Sequence, residues 1–157
     1  METISLEAFK EVVLLLLDET FDHVRGFYLD KNTSLFETLA DITAEEASIP
    51  VGGKCATLAA QVKHVTFYLD FVAKVVQDPT QTEADWGEIW RNTNRVTPTE
   101  WHAIQEELRA GYTRTKALIT ENLPFSDRNH ILAAIVVVVH TAYHLGEIRQ
   151  ALCTLRP

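Results

Sequence analysis

The sequence predicts an all-α protein that folds as a four-helix bundle, and three observations support this fold class. Apolar residues recur at three- and four-residue steps through four long segments, which is the spacing of amphipathic helices. Glycine and proline are scarce, with six and five residues, so few positions can break a helix. The 157 residues have the usual length of one domain, and we therefore expect a single bundle domain over residues 1–157.

The first two predicted helices are separated by a long connection. The first helix is predicted from Ser5 to Phe27, with Ser5 as a suitable N-cap. A connection of about 25 residues follows, with an amphipathic turn around 35–42 and a break at Pro50–Gly53. The second helix is predicted from Ala56 to Gln77, and Asp78-Pro79 ends it.

The third and fourth predicted helices follow a second long connection. This connection contains Trp86 and Trp90 in a predicted short helix. The segment Thr97–Glu100 combines a capping oxygen, proline at the first helical position and early negative charge, so it starts the third helix, which extends to Glu121. The fourth helix is predicted from Ser126 to Leu155.

The lengths of the connections predict the directions of the helices. The short break at 122–126 makes the third and fourth helices antiparallel neighbours. The connection before the third helix, about 20 residues at ~3.3 Å each, is longer than that helix at ~1.5 Å per residue. The third helix can therefore run parallel to the second, which gives an up-down-down-up bundle with two long crossover connections. Connections this long are candidate walls of a functional pocket.

The composition argues against several classes of function. Fourteen Lys and Arg against 22 Asp and Glu give a net charge of −8, which disfavours nucleic-acid and anionic-membrane partners. The longest apolar runs, Val12–Leu17 and Ile131–Val139, are shorter than the ~18 residues of a membrane span, and no secretory signal is predicted. The two cysteines, Cys55 and Cys153, fit a reducing compartment. We therefore expect a cytoplasmic protein.

Three of the six histidines are candidate metal ligands. His140 and His144 lie four residues apart on the fourth helix, so both imidazoles can reach one point beside it. The pair lies beside an apolar stripe, and His64 has similar surroundings on the second helix. Two interpretations stay open at this point: a metal site, or core imidazoles that are satisfied by hydrogen bonds. The remaining histidines are assigned to structure or surface: His23, His102 and His130.

The cysteines are not expected to join this site. Cys55 lies nine residues before His64, and Cys153 lies nine residues after His144. Nine residues rotate a helix by about 180°, so both thiols should point away from the histidines. Neither a Cys55–Cys153 disulfide nor a thiolate ligand is therefore expected.

The histidine motifs resemble those of the DinB-like superfamily, which also holds the YfiT-type proteins. The resemblance is carried by His140–Gln150, which contains His-x-x-x-His-x-Gly, and by His64 within residues 61–69; it covers essentially the whole chain. It implies an up-down-down-up four-helix bundle with a divalent metal held by His64, His140 and His144. It also implies thiol S-transferases that use bacillithiol or mycothiol, a mycothiol-dependent isomerase, and a homodimer as one assembly.

Two neighbouring positions need separate explanations. The residue after the motif glycine is often Gln in the family, and here it is Glu147, which lies on the same helix face as His140. Glu147 is a candidate catalytic base, a candidate acceptor for an imidazole N–H, or a solvated carboxylate at the rim. Gly146 destabilises a helix interior by about 1 kcal/mol relative to Ala. Close approach of a neighbouring helix or loop is the expected compensation, and a tolerated glycine is the alternative.

Three imidazoles leave an open coordination position, which is typical of a catalytic metal. Such a metal either makes hydroxide from water or binds a thiol as thiolate, and Zn, Ni, Fe and Mn are all candidate ions. The residues alone do not separate these two reactions, and it is the resemblance that leads us to expect a metal-dependent S-transferase that acts on a small-molecule substrate with a low-molecular-weight thiol. A metal-dependent hydrolase and a non-catalytic, stress-related metal-binding module are the alternatives. Four aromatic residues either line the pocket of the candidate metal site or are ordinary packing residues: Tyr68, Trp86, Trp90 and Tyr143.

Overall fold

The computed structural model describes residues 3–51 and 56–156, and this part of the chain is all-α. Its helices are α1 (Leu6–Phe21), α2 (Leu35–Leu39), α3 (Ala44–Ala47), α4 (Leu58–Gln77), α5 (Glu88–Asn92), α6 (Pro98–Ala117) and α7 (Arg128–Leu155). A π-helical turn, Leu118–Asn122, continues α6. Within the described ranges no strand occurs, and Pro50 pairs with Thr57 in an isolated bridge.

The long helices start where the capping residues predict. The hydroxyl of Ser5 accepts a hydrogen bond from the backbone N–H of Ala8 at the start of α1. Thr97 and Glu100 form a reciprocal capping box at the start of α6, directly before Pro98. Each such cap contributes about 1 kcal/mol because it satisfies amides that have no partner inside the helix.

The prediction that the first helix continues to Phe27 is wrong, because a buried carboxylate stops it at Phe21. Glu19 is 0% exposed. It accepts hydrogen bonds of 2.8 to 3.1 Å from the backbone N–H groups of Arg25, Phe27, Tyr28 and Leu29. These amides therefore donate to the side chain of Glu19 and do not continue the backbone hydrogen bonds of α1. Burial raises the pKa of Glu19, but the four donors outweigh it, and the net pKa lies below its ordinary value.

Helix α4 packs against both α6 and α7. Its contact with α6 is close at Gly111, where an added Cβ would lie 3.4 Å from the side chain of Leu69. Arg114 forms an ion pair with Asp70 at 2.7 Å. The later residue of α4 therefore contacts the later residue of α6, which means that α4 runs parallel to α6. Across the seam with α7 the order is reversed: Gln61 contacts His144, whereas Tyr68, further along α4, contacts His140.

Helix α7 combines the greatest length of the described helices with a long apolar window. Of the helices in the described part of the chain, α7 alone is long and apolar enough to cross a membrane, judged by length and composition. The uninterrupted apolar runs of the sequence are too short to predict a membrane span. In α7, histidine, threonine, tyrosine and glycine interrupt the apolar residues but add no charge. Core helices of soluble proteins meet the same criterion, although only 33% of the most apolar 18-residue window of α7 is buried.

Arg156, directly after α7, ties the end of that helix to the first connection. Its guanidinium donates to both carboxylate oxygens of Glu46, at 2.6 and 2.8 Å, and to the carbonyl of Asp41 at 2.7 Å. The hydrogen bonds from Arg156, together with those from Thr43, lower the pKa of Glu46 to about 2.

We expect Arg156→Ala to lower the Tm at pH 7, because its ion pair with Glu46 is lost. The decrease should be only a few degrees, since this ion pair is partly exposed. The pKa of Glu46 is lower in the folded state than its ordinary 4.5, so this stabilisation is present above pH 4.5 and is lost as the pH falls towards 2. Thermal unfolding of both proteins at pH 7 and pH 3 measures the effect. A difference in Tm that does not shrink at pH 3 would contradict this account of Glu46.

Candidate metal site

Helices α4 and α7 bring three histidines to one point on their shared seam. His64 lies on α4, and His140 and His144 lie one turn apart on α7. Each offers one ring nitrogen, and these three atoms lie within 4.8 Å of one another. The Nε2 atoms of His64 and His140 are 3.2 Å apart. The structure thus brings together the three histidines that the sequence singles out.

The chemistry of all three nitrogens, and the spacing of the His64 and His140 pair, fit a divalent metal ion. Two imidazole ligands at ~2.0–2.1 Å from a tetrahedral ion lie roughly 3.3 Å apart. The distance between the Nε2 atoms of His64 and His140, 3.2 Å, is close to that value. Imidazole nitrogen is a donor that zinc and other first-row divalent metals accept in proteins.

Gln61 and Glu147 fix the orientation of the His144 ring. The Nδ1 atom of His144 lies 2.6 Å from Oε1 of Gln61 and 2.9 Å from Oε2 of Glu147. Both partners are acceptors, so they hold the ring proton on Nδ1 and leave the lone pair on Nε2. An acceptor behind a ligating histidine is usual in metal sites. The contact places Glu147, of which the side chain is 37% exposed, behind the ring as such an acceptor.

Burial keeps the histidine cluster in its neutral form. Desolvation, with a further contribution from the charge of His144, lowers the pKa of His64 to about 4. Desolvation lowers the pKa of His140 to about 4 as well. The pKa of His144 is also lowered by burial, although Glu147 partly offsets the effect. At neutral pH the lone pairs that a metal ion needs are therefore available.

The hydrogen bonds distinguish a metal site from a set of ordinary core histidines. Core histidines need partners for their buried ring nitrogens, and the Nδ1 atom of His144 has two. The Nδ1 atom of His64 is buried without a hydrogen-bond partner among the described residues, and a metal ion bound at Nε2 would leave it so. Among the described residues, the ring of His64 has one hydrogen-bond partner, and this partner is another histidine, His140. Such a pair is better explained as two ligands than as a packing device.

Aromatic rings lie against all three histidines, and the ring of Tyr143 is 5.0 Å from that of His144. Tyr68 stacks on His140, with ring centroids 3.6 Å apart and an interplanar angle of 19°. Trp90 lies 4.7 Å from the ring of His64, and Trp86 lies 6.1 Å from it. The cluster is therefore shielded by aromatic walls, one of which comes from the second long connection.

Helix α5 holds this connection in place over α4. Ile89 of α5 is buried. The hydroxyl of Thr57, which caps α4, donates to the carbonyl of Thr93 at the end of α5, at 3.1 Å. This bond fixes Trp90 above His64. Trp86 lies just before α5 and not inside it, in contrast to the predicted short helix that contains both tryptophans.

Gly146 does not have the close neighbour that the sequence leads us to expect. No atom of the described residues outside its own helix backbone and chain neighbours lies within 4 Å of the place that a Cβ would take. The glycine instead lines a groove of ≈ 490 Å³ beside the histidine site, together with Gln61, Tyr143 and Glu147. Removing a side chain at this position leaves the surface open.

The other histidines and the cysteines lie away from the site. His23 and His102 are exposed, and His130 contacts Ser126 and Asp127 at the start of α7. Cys153 is a free, exposed thiol. Cys55 lies outside the described residues, so the expectation about its direction stays a prediction.

No protein-family model matches this chain, and no match was found among curated proteins or among solved structures. The site is therefore characterised by its own geometry. Three neutral imidazoles can hold one divalent ion and leave at least one coordination position for water or substrate. An ion of that kind can stabilise hydroxide or thiolate at neutral pH.

Glu147→Ala is expected to weaken metal binding by about 10- to 100-fold, because the orientation of His144 is lost while all three ligands remain. Glu147→Gln should have a smaller effect, since its amide oxygen can still accept from Nδ1. Competition with a chromophoric chelator measures the affinity, and Glu11→Ala, at an exposed position of α1, is the matched control. Equal affinities for Glu147→Ala and the control would refute this role.

Proposed function

We propose that this chain is a divalent-metal-dependent enzyme of the DinB-like type, with His64, His140 and His144 as the metal ligands. The observation that carries the proposal is the cluster itself: three imidazoles from two helices offer ligand atoms within 4.8 Å of one another. The lowered pKa values of His64 and His140 and the acceptor behind His144 support the same assignment.

The architecture that belongs to this proposal is the up-down-down-up four-helix bundle formed by α1, α4, α6 and α7. The parallel course of α4 and α6 supports it, as does the antiparallel course of α4 and α7. The contacts of α1 agree: Lys10 reaches Thr120, whereas Asp18, later in α1, reaches Lys116, earlier in the chain. Helix α1 therefore runs opposite to α6.

We propose thiol transfer as the reaction, with a low-molecular-weight thiol as one substrate. A metal ion at this site would lower the pKa of a thiol, so that the thiolate is present at neutral pH. The residues of the chain then have distinct tasks. Gln61 and Glu147 orient His144, and Tyr68 with the two tryptophans of the second connection keeps water from one side of the site.

The position of Glu147 favours thiol transfer over hydrolysis. Metal-dependent hydrolysis usually needs a base that faces the attacking water. Glu147 is the carboxylate that the described residues bring into contact with the cluster, and its oxygen is bound to Nδ1 of His144, behind the ligand ring. Either a water or a thiol can lose its proton to solvent on binding a metal ion, but a thiol transfer whose leaving group departs as a stable anion needs no further acid or base.

The experiment uses protein loaded with Zn²⁺ or Ni²⁺ and a panel of bacillithiol, mycothiol, glutathione and cysteine. Each thiol is offered with 1-chloro-2,4-dinitrobenzene; the sulfur bonds to the aryl carbon, and chloride leaves. We expect a rate above the uncatalysed one for at least one thiol, lost in the metal-free protein and in His140→Ala. Metal-bound protein that accelerates ester hydrolysis but no thiol reaction would favour a hydrolase. Metal-bound protein without either activity would favour a non-catalytic metal-binding module.

A further inference from the structure

The seam between α4 and α7 that holds the three histidines continues as a groove towards the C-terminal end of α4. Tyr68 of α4 lies against His140 of α7, and the two helices run antiparallel. Val72 and Val136 each lie four residues beyond this contact, and both line the groove, which has a volume of ≈ 420 Å³. The groove and the candidate metal site are therefore successive parts of one seam.

The walls of the groove are mainly apolar. Helix α4 contributes Phe71, Val75 and Val76, and helix α7 contributes Leu132 and Ala133. Leu132 is 54% exposed, so a large apolar side chain faces solvent there. Among the described residues, no Lys or Arg lines the groove. An apolar ligand is stabilised by removing such walls from water, whereas an anionic group would lose its hydration without gaining a cationic partner.

The polar lining residues lie at the end of the groove that is remote from the histidines. They are Asp127, Asn129 and His130, at the start of α7. The carboxylate of Asp127 accepts hydrogen bonds from the backbone N–H groups of Asn129 and His130, at 2.7 and 3.2 Å, so it caps the helix. Helix α7 rises by roughly 10 Å from Asn129 to Val136. A ligand that extends from the metal site therefore meets about two turns of apolar wall before it reaches these polar groups.

Two aromatic residues belong both to the groove and to the surroundings of the histidines. Tyr68 lines the groove and stacks on His140. The ring of Trp86 lies 4.8 Å from that of Phe71, in the groove wall, and 6.1 Å from that of His64. A molecule with its polar end at the metal site and its apolar part in the groove would thus follow a continuous aromatic surface.

The size of the groove favours a small molecule over a protein partner. Its volume of ≈ 420 Å³ lies within the range of about 300–1,000 Å³ that is usual for small-molecule sites. A stable protein interface needs about 800 Å² from each partner, which is much more surface than a groove two helical turns long provides.

We propose that this groove binds the apolar chain of the electrophilic substrate, and that it makes the enzyme selective for electrophiles that carry an unbranched alkyl chain. The proposal rests on the proposed function, because the histidine cluster supplies the reacting end of the site. The binding of the chain itself can be measured without any reaction, since none of the groove residues is a proposed metal ligand.

The first experiment measures binding to the metal-free and to the Zn²⁺-loaded protein. The neutral dye N-phenyl-1-naphthylamine is bound first, and unreactive N-alkylacetamides with chains from ethyl to decyl then displace it. We expect the affinity to rise about three- to fourfold for each added methylene until the groove is filled, because each methylene is removed from water. Equal affinities for the ethyl and the decyl compound would overturn the proposal.

Two substitutions locate the binding of the chain. Ala133 is half-buried and lines the groove, so Ala133→Phe places a ring in it. We expect the ratio of decyl to ethyl affinity to fall at least tenfold. Leu132→Asp, at an exposed position, should lower the same ratio. Ala110→Phe, exposed on α6, is the matched control and should keep the wild-type ratio. Circular dichroism shows whether each variant retains its fold, and a ratio that neither groove variant changes would place the chain elsewhere.

The second experiment follows the reaction of N-alkyl-2-bromoacetamides with the thiol that the panel above favours. The sulfur bonds to the carbon that carries bromine, bromide leaves, and only the thioether of the added thiol is counted. We expect kcat/KM to rise with chain length in the wild type and in Ala110→Phe, and this rise to be lost in Ala133→Phe. Thiol transfer at a rate that does not depend on chain length would overturn the groove proposal and leave the proposed function standing. Binding that depends on chain length in a protein that transfers no thiol would refute the proposed function and, with it, the role of the groove in that reaction.

Discussion

Replacing His140 by Ala is expected to lower the affinity for a divalent metal by about 1,000-fold and to remove stabilisation by the metal. The variant keeps two ligands, which is fewer than the three that hold a catalytic metal ion. A metal at about 100 times its Kd stabilises a folded protein by about 2.7 kcal/mol, which raises the Tm of a chain of this size by roughly 5–10 °C. The wild type should show this rise on adding Zn²⁺ or Ni²⁺, and His140→Ala should not.

His102→Ala is the control for this prediction. His102 is exposed on α6, away from the cluster, so its replacement should leave the metal-dependent rise in Tm unchanged. Thermal unfolding of the three proteins, each with and without metal and chelator, gives the comparison. An equal rise in wild type and His140→Ala would place metal binding somewhere other than this cluster.

Replacing Glu19 by Gln is expected to lower the free energy of unfolding by about 3 kcal/mol. The carboxylate is fully buried and accepts four backbone N–H bonds. Glutamine keeps one accepting oxygen, but its NH₂ group would face amides that are themselves donors. Two hydrogen bonds to a charged group are lost, and the segment from Arg25 to Leu29 loses its attachment to α1.

Urea denaturation followed by circular dichroism measures this loss. Glu11→Gln removes a carboxylate from the same helix at an exposed position, so its effect should stay within about 0.5 kcal/mol. Similar unfolding free energies for the two variants would show that the four hydrogen bonds to Glu19 do not hold the end of α1.

The long helices could be predicted because their signals are local. Apolar periodicity, the Ser5 cap and the Thr97–Glu100 box each act within one or two turns, so the sequence itself contains the relevant neighbours. The end of α1 could not be predicted in this way. Glu19 resembles any polar residue of a helix, and its partners extend to Leu29, in a loop whose path depends on the complete fold.

The candidate site also combines features with local signals and features that depend on the complete fold. His140 and His144 must be neighbours, because a helix fixes the distance between residues four apart. Adding His64 required the antiparallel course of α4 and α7, which the lengths of the connections predict. Gln61 was missed, although its position three residues before His64 puts it on the same face of α4. The positions of the tryptophans depend on how a long loop packs, which no local pattern encodes.

We propose that His64, His140 and His144 hold one divalent ion with an open coordination position. Titration of metal-free protein with Co²⁺, followed by visible absorption, tests it most directly, because the intensity of the bands reports the coordination number. We expect saturation at one Co²⁺ per chain, with bands of a four- or five-coordinate ion that shift when a thiol is added. His140→Ala should lose these bands, and His102→Ala should keep them. If the wild type shows no saturable bands, or if His140→Ala shows the same ones, the three histidines are not a metal site.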